Sequence, residues 1–246
     1  MPKINWSNGY VRNGDAALYY EVHQSSQKNA PLLVCLHGNG ENMHIFDGHI
    51  EPLLPYYTII TMDTRAQGKS SPGDRPLSYA LFAEDLFTLI NKLQIGSVLL
   101  LGFSDGGNTA LELALQHQER VAAMILVGAN LSPDGMTSLA RTGLQLRVAA
   151  QRLKSLFSKG AGKEQELLRL MLEYPRIDPQ QLEKVAVPTL VISGERDVIK
   201  DEHSELIAQS LPNARRVAIP GAGHFVMKDA PTEFDRIVLE FLMEDD

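Results

Sequence analysis

The sequence has a single cysteine, Cys35, in 246 residues, so no disulfide can form within the chain, which fits a reducing compartment. Cys35 stands inside the apolar run Leu32 to Leu36 and reads as a buried thiol, not a nucleophile. Basic residues are outnumbered, with 23 Lys and Arg against 30 Asp and Glu, for a net charge of −7. No basic stripe is available to neutralise phosphates, which argues against a DNA or RNA partner. No apolar run approaches the roughly 20 residues that span a bilayer, and Met1 to Trp6 lack the apolar core of a signal peptide. A cytoplasmic location and no membrane partner are therefore expected. His23, His44, His49 and His117 are scattered without metal-ligand spacing, so no metal is expected. Internal repeats and low-complexity segments are also missing.

What is present is ordinary for a globular enzyme, with 44% hydrophobic and 22% charged residues. The length suits one large α/β domain carrying an insertion. Residues 10–12 and 16–23 flank the turn signal Asn13-Gly14-Asp15 and predict an antiparallel hairpin. Apolar runs at 32–36, 57–62, 98–101, 123–127, 189–192 and 216–219 predict strands buried on both faces. Helical patterns alternate with them at 45–54, 79–93, 108–117, 203–210 and 232–243. The alternation predicts a mostly parallel sheet with an antiparallel start and helices on both faces. Residues 131–186 break the pattern with helical periodicity at 139–157 and 164–172 and no strand. They read as a small helical cap inserted between core segments 1–130 and 187–246. The cap has nine basic and six acidic residues, +3, which leaves −10 elsewhere and reads as a solvated helical face.

The richest stretch is Gly102-Phe103-Ser104-Asp105-Gly106-Gly107, set between a buried strand and a helix. A Gly-x-Ser-x-Gly turn in that setting is a nucleophile elbow, with the serine on a strained turn and glycines where a Cβ would collide. Ser104 is thus the expected nucleophile. A hydroxyl needs a base to accept its proton, and an imidazole needs a carboxylate to fix its tautomer. Asp197 follows the strand at 189–192, and His224 follows the strand at 216–219 in a glycine-rich loop. Both lie beyond carboxyl ends of strands, where open α/β sheets gather their sites. Rival acids are Glu195, Asp201 and Glu202, and the rival base is His203 at the start of a helix. The turn His37-Gly38-Asn39-Gly40 supplies a second anion-binding loop. The oxyanion donors are assigned to the backbone N–H groups of Asn39 and Asp105, with His37 bracing the loop. Two nucleotide-binding patterns fail. Gly68-Lys69-Ser70 has Asp63 where a phosphate loop needs glycine, and Gly38-Asn39-Gly40 has Met43 where a dinucleotide fingerprint needs one. No cofactor is expected.

These segments, together with Asp63 to Ser70 and Gly194-Glu195-Arg196-Asp197, resemble the α/β-hydrolase superfamily in its order over most of the chain. The small cap, the Ser-Asp-Gly-Gly elbow and Val127-Gly128-Ala129-Asn130 are similar to the biphenyl hydrolase-like and valacyclovir hydrolase-like esterases. Ala66 departs from the glycine of many relatives, which bears on the geometry of a structural loop. The implied activity is cofactor-independent cleavage of small carboxylic esters through an acyl-enzyme. The same triad also serves perhydrolysis and carbon–carbon bond hydrolysis. A ligand sensor with little turnover is a third reading. Phe103 and Asp105 are placed in the substrate pocket. The Asp105 carboxylate is expected either to take the amine of an amino-acid ester or to serve the helix N-terminus it begins. Met136, Leu139, Leu144 and Val148 are expected to close the acyl pocket from the cap.

Overall fold

A computed structural model describes residues 5–155 and 162–244. The chain opens with strands β1 (Asn5–Asn13) and β2 (Ala16–Gln24), paired antiparallel across the two-residue turn Gly14-Asp15. Gly14 takes φ 58°, the left-handed conformation such a turn demands. The parallel strands follow as β3 (Leu32–Leu36), β4 (Thr58–Met62), β5 (Val98–Phe103), β6 (Val121–Val127), β7 (Thr189–Gly194) and β8 (Ala214–Ile219). They form one eight-stranded sheet in the order β1-β2-β4-β3-β5-β6-β7-β8, and β2 joins β4 antiparallel. This is the α/β-hydrolase fold. Central strands such as Thr58–Met62 are buried at every position, because helices cover both faces.

Helices α1 (Asp47–Leu53), α2 (Tyr79–Lys92) and α3 (Asp105–His117) belong to the first half of the chain. On one face of the sheet, Leu86 and Leu89 of α2 and Ala110 and Leu113 of α3 pack against Val34, Leu100 and Leu126. On the other face, Ile50 and Leu53 of α1 meet Phe234 and Val238 across Leu33, Ile125 and Ile192. The expected helix at 108–117 begins three residues early, at Asp105. The glycine pair that reads as loop forms instead the first turn of α3, where strand and helix must pass closely.

The segment between β6 and β7 supplies α4 (Ser138–Ser155), α5 (Gly162–Glu173) and the short α6 (Pro179–Leu182). Its expected break at 158–163 lies in part outside the described residues. Helix α5 rests on the core through Leu167 and Leu170, which pack with Leu77, Tyr79 and Phe82. Glu166 also accepts a 2.6 Å hydrogen bond from the Leu77 backbone N–H. Helix α4 lies over α5, with Leu144 and Val148 against Leu168. After β7 come α7 (Asp201–Ser210), then α8 (Val226–Asp229) and α9 (Pro231–Met243) following β8. Among the described residues, no helix is long and apolar enough to cross a membrane.

Candidate active site

Strand β5 delivers Ser104 at its carboxyl end, and the residue is held at φ 53°, ψ −115°. Its backbone explains how this strain persists. The Ser104 N–H donates to Val127 O at 2.7 Å, while its carbonyl accepts from Gly107 and Asn108 N–H at 2.9 and 3.1 Å. A Cβ on Gly102 would lie 2.4 Å from Gly106 O, and one on Gly106 would lie 2.0 Å from Leu36 O. The two flanking glycines let the strand–turn–helix close tightly enough to lift the serine out of the sheet.

The loops after β7 and β8 meet this turn. Ser104 Oγ lies 3.1 Å from His224 Nε2, and His224 Nδ1 lies 2.7 Å from Asp197 Oδ1. The Asp197 carboxylate is aimed by its own loop, because Oδ1 accepts from Ile199 N–H at 2.9 Å and Oδ2 from Gly194 N–H at 3.3 Å. A bare backbone is also required behind the imidazole. Gly128 takes φ 60°, and a Cβ there would stand 2.7 Å from His224 Cε1. This accounts for the glycine of Val127-Gly128-Ala129-Asn130, whose asparagine in turn bonds Asn108 of α3.

The rival groups are occupied elsewhere. Glu195 accepts from Gly221 N–H at 2.7 Å, tying the two loops together, and Asp201 pairs with Arg216. Glu202 is exposed on α7. His203 Nε2 accepts from Leu131 N–H at 2.9 Å, and burial pushes its pKa down. It stays neutral and anchors the entry to the cap.

His37 braces its loop as expected. Nε2 accepts from Thr64 N–H at 2.9 Å, which leaves Nδ1 to donate to Gly38 O at 2.8 Å. Burial keeps this imidazole neutral. Among the described residues, no acceptor within the chain engages the backbone N–H of Asn39 or Asp105. The Asp105 carboxylate, buried, accepts from Tyr79 Oη at 2.7 Å on Oδ1 and from Asn39 Nδ2 at 2.8 Å on Oδ2. Burial raises its pKa, and the two hydrogen bonds oppose that rise. Asn39 Nδ2 also donates to Leu167 O of α5 at 3.0 Å, so the turn at Ser104, the loop after β3 and the cap share one polar junction. Tyr79 gives no sequence signal for this role, because it stands at the start of an amphipathic helix with nothing local to mark it.

A cavity of about 380 Å³ opens over Ser104 and His224. Phe103 and Phe225 form its core side; Met136, Leu144 and Met171 come from the cap. The Phe103 ring lies 5.1 Å from the His224 ring, centre to centre, so Phe103 sits beside that imidazole as well as in the cavity wall. Two of the expected cap residues do not line it. Leu139 is on the outer surface of α4, because its phase on the helix differs from that of Leu144 by more than a third of a turn. Val148 is turned instead toward Leu168 inside the cap. Glu41, which sequence reasoning missed, also lines the cavity. Burial raises its carboxyl pKa, opposed by Lys228 at 3.8 Å.

Comparison with known proteins agrees with this fold. Residues 31–151 match the family model of the alpha/beta hydrolase fold. A provisionally named esterase/lipase of Haemophilus influenzae is 27% identical, over 96% of this chain and 92% of its own length. A provisionally named carbamate hydrolase of Pseudomonas savastanoi pv. phaseolicola is 26% identical, over 92% of this chain and 98% of its own. Among solved structures, the enol-lactonase of Burkholderia xenovorans superposes with a TM-score of 0.79 at 22% identity, covering 96% of this chain and all (100%) of that one, which speaks for the fold alone. The chain belongs to the α/β-hydrolase superfamily, and it is an α/β-fold hydrolase.

Proposed function

We propose that the protein is a serine hydrolase of small carboxylic esters, with Ser104 as nucleophile, His224 as general base and acid, and Asp197 as the orienting carboxylate. The observation that carries this reading is the continuous hydrogen-bonded chain from Ser104 Oγ through His224 to Asp197, ending under an apolar cavity. Ser104 attacks the acyl carbonyl as its proton passes to His224 Nε2. The backbone N–H groups of Asn39 and Asp105 take the negative charge that develops on the carbonyl oxygen. His224 then protonates the departing alkoxide, and the same imidazole activates the water that releases the acid. Asp197 holds the proton-bearing Nδ1 and stabilises the imidazolium formed in both halves.

The cavity supports an ester of modest size, since Phe103, Leu144 and Met171 offer apolar contact on both the core and cap sides. A carbamate hydrolase among the relatives makes carbamates the second substrate class to try, because the same acyl transfer applies. Labelling with a fluorophosphonate probe, followed by a panel of p-nitrophenyl esters and carbamates of graded acyl length, tests the reading. Ser104→Ala is expected to abolish labelling and to lower ester turnover by roughly 10³-fold or more with the fold intact. Labelling that survives at another residue overturns the assignment. Tight ligand binding with negligible turnover of every ester overturns it in favour of a sensor.

A further inference from the structure

Helix α5 borders two open spaces. Met171 lines the cavity over Ser104, whereas Leu170 lines a second cavity, a groove of about 360 Å³ beside the same helix. Leu77 and Leu170, both buried, give this groove an apolar floor, and Glu166, Arg169 and Glu173 stand at its rim. The rim charges are matched among themselves, since Glu166 meets Lys163 at 3.0 Å and Glu173 meets Arg169 at 2.7 Å. Tyr174 lines both spaces. It follows the last turn of α5, and its N–H donates to Leu170 O at 2.8 Å, which keeps it in helical phase. At about 100° per residue it stands about 40° past Leu170 and about 60° short of Met171, between the groove side and the cavity side. Its backbone is pinned as well. Pro175 is buried, and Ile177 N–H donates to Leu131 O at 2.9 Å. The Tyr174 side chain is nonetheless 43% exposed, so it is a partition between two spaces and not part of the packed core.

We propose that Tyr174 fixes the acyl length the protein accepts: its ring closes the cavity over Ser104 toward the groove, and an acyl chain ends against it. The assignment rests on the reading of the protein as an ester hydrolase. Leu144 and Met171 make the cap side of the cavity apolar, which suits the acyl half of an ester, and Tyr174 is the neighbour of Met171 on that side. Beyond the ring, Leu170 and Leu77 continue the apolar surface, so a chain that passed it would stay in apolar contact. The cavity measures about 380 Å³ and the groove about 360 Å³. Removing the ring therefore nearly doubles the space open to the acyl chain.

The test is kcat/KM for p-nitrophenyl esters from acetyl to decanoyl, held below their micelle-forming concentrations, in the wild type, Tyr174→Phe, Tyr174→Ala and Tyr174→Ala/Gln165→Trp. The wild type is expected to prefer short chains and to lose rate steeply once the chain meets the ring. Tyr174→Phe keeps the ring and should keep that cut-off. Tyr174→Ala is expected to raise the decanoyl-to-butyryl ratio by about tenfold or more, since each methylene brought onto apolar surface is worth about threefold to fourfold. Gln165 lines the groove and not the cavity, so a tryptophan there should fill the groove and return the ratio toward the wild-type value. A wild type that already prefers decanoyl, or a ratio that Tyr174→Ala leaves unmoved, overturns the proposal. Loss of the cut-off in Tyr174→Phe also overturns it, because the hydroxyl and not the bulk would then set the length. So does a raised ratio that Gln165→Trp fails to lower, which would show that α5 has merely loosened. Turnover of no ester at all fails the esterase reading and takes this inference with it, whereas short-chain turnover with an unmoved profile counts against this one alone.

Discussion

Replacing Asp105 by asparagine changes one charge at nearly constant shape, and the surroundings of that carboxylate set what should follow. Its two oxygens accept from Tyr79 Oη at 2.7 Å and from Asn39 Nδ2 at 2.8 Å. Hydrogen bonds to a charged group contribute about 1.5–3 kcal/mol each, but burial penalises the ionised form and takes part of that back. An asparagine can keep its oxygen toward Asn39 and turn its amide toward Tyr79, whose hydroxyl rotates to accept. Both contacts then survive at neutral strength. The net loss of stability should be about 1–2 kcal/mol, or roughly 2–8 °C in melting temperature for a chain of this size. The effect on turnover follows from Asn39, whose backbone N–H is a proposed oxyanion donor. Losing such a donor outright costs about 10²–10³ in kcat, so loosening the side chain that holds it should cost about 10- to 100-fold. The assay is kcat/KM on matched esters, one with an α-amino group and one without. A brace predicts an equal fall on both, carried in kcat. If Asp105 instead holds a substrate amine, the aminoacyl ester should fall by a further 10- to 100-fold, roughly 1.5–3 kcal/mol, and that result would refute the bracing argument. Tyr79→Phe supplies an independent check, because it removes one of the two partners without touching the charge.

Asp197→Asn should lower ester turnover by about 10⁴-fold with little change in KM, since the amide favours the wrong imidazole tautomer; a near wild-type rate would move the role to another acid. Gly106→Ala should leave little soluble, active protein, because its Cβ would sit 2.0 Å from the Leu36 carbonyl; a well-folded variant of normal activity would contradict the packing of the elbow. Stability should also depend on the buried imidazoles. Burial lowers the His203 pKa in the folded state, so below about 6.5 the unfolded chain binds a proton that the folded chain does not, and stability is lost as the pH falls through that range. Urea midpoints at pH 7.5 and 5.5 should therefore drop less in His203→Gln than in the wild type, and equal drops would remove His203 from the account.

The sheet was legible because its central strands are covered on both sides, which leaves unbroken apolar runs such as Leu32 to Leu36 that suit a buried strand. The candidate site was legible for a related reason. Ser104, Asp197 and His224 each follow a strand within a few residues, so the topology alone brings them to one edge of the sheet. Glycine carried much of the remaining signal, since Gly102, Gly106 and Gly128 stand where a Cβ would strike backbone or the His224 ring. Long-range polar pairings left no such trace. Nothing near Tyr79 or Asn39 in the chain announces that both side chains end on Asp105. Ala66 shows a subtler limit. The loop closes with this alanine at φ 66°, a conformation that favours glycine, and its methyl packs on the cluster of Leu77, Tyr79 and Phe82. Contact with that cluster offsets a strain of about 1–2 kcal/mol, so a departure that looks like a defect in sequence is accommodated in the fold.

Helix α4 marks where periodicity stops being informative. Its sequence holds two apolar stripes, one through Leu144 and Val148 and another through Leu139, Leu146 and Leu153. A pattern of 3.6 residues per turn is satisfied by either stripe, and amphipathicity alone does not say which one faces inward. The choice is made by α5, whose Leu168 meets Leu144 and Val148, and by the cavity, which takes Leu144 and Met171 as its wall. Those partners are fixed in turn by Leu167 and Leu170 docking on Leu77 and Phe82 of the core. The orientation of α4 is thus a third-order consequence, passed from sheet to α2, from α2 to α5 and from α5 to α4. Reading Leu139 as a pocket residue skips those steps. Once they are followed, the same leucine belongs to the outward stripe, and Leu144 is the leucine of α4 that reaches the cavity.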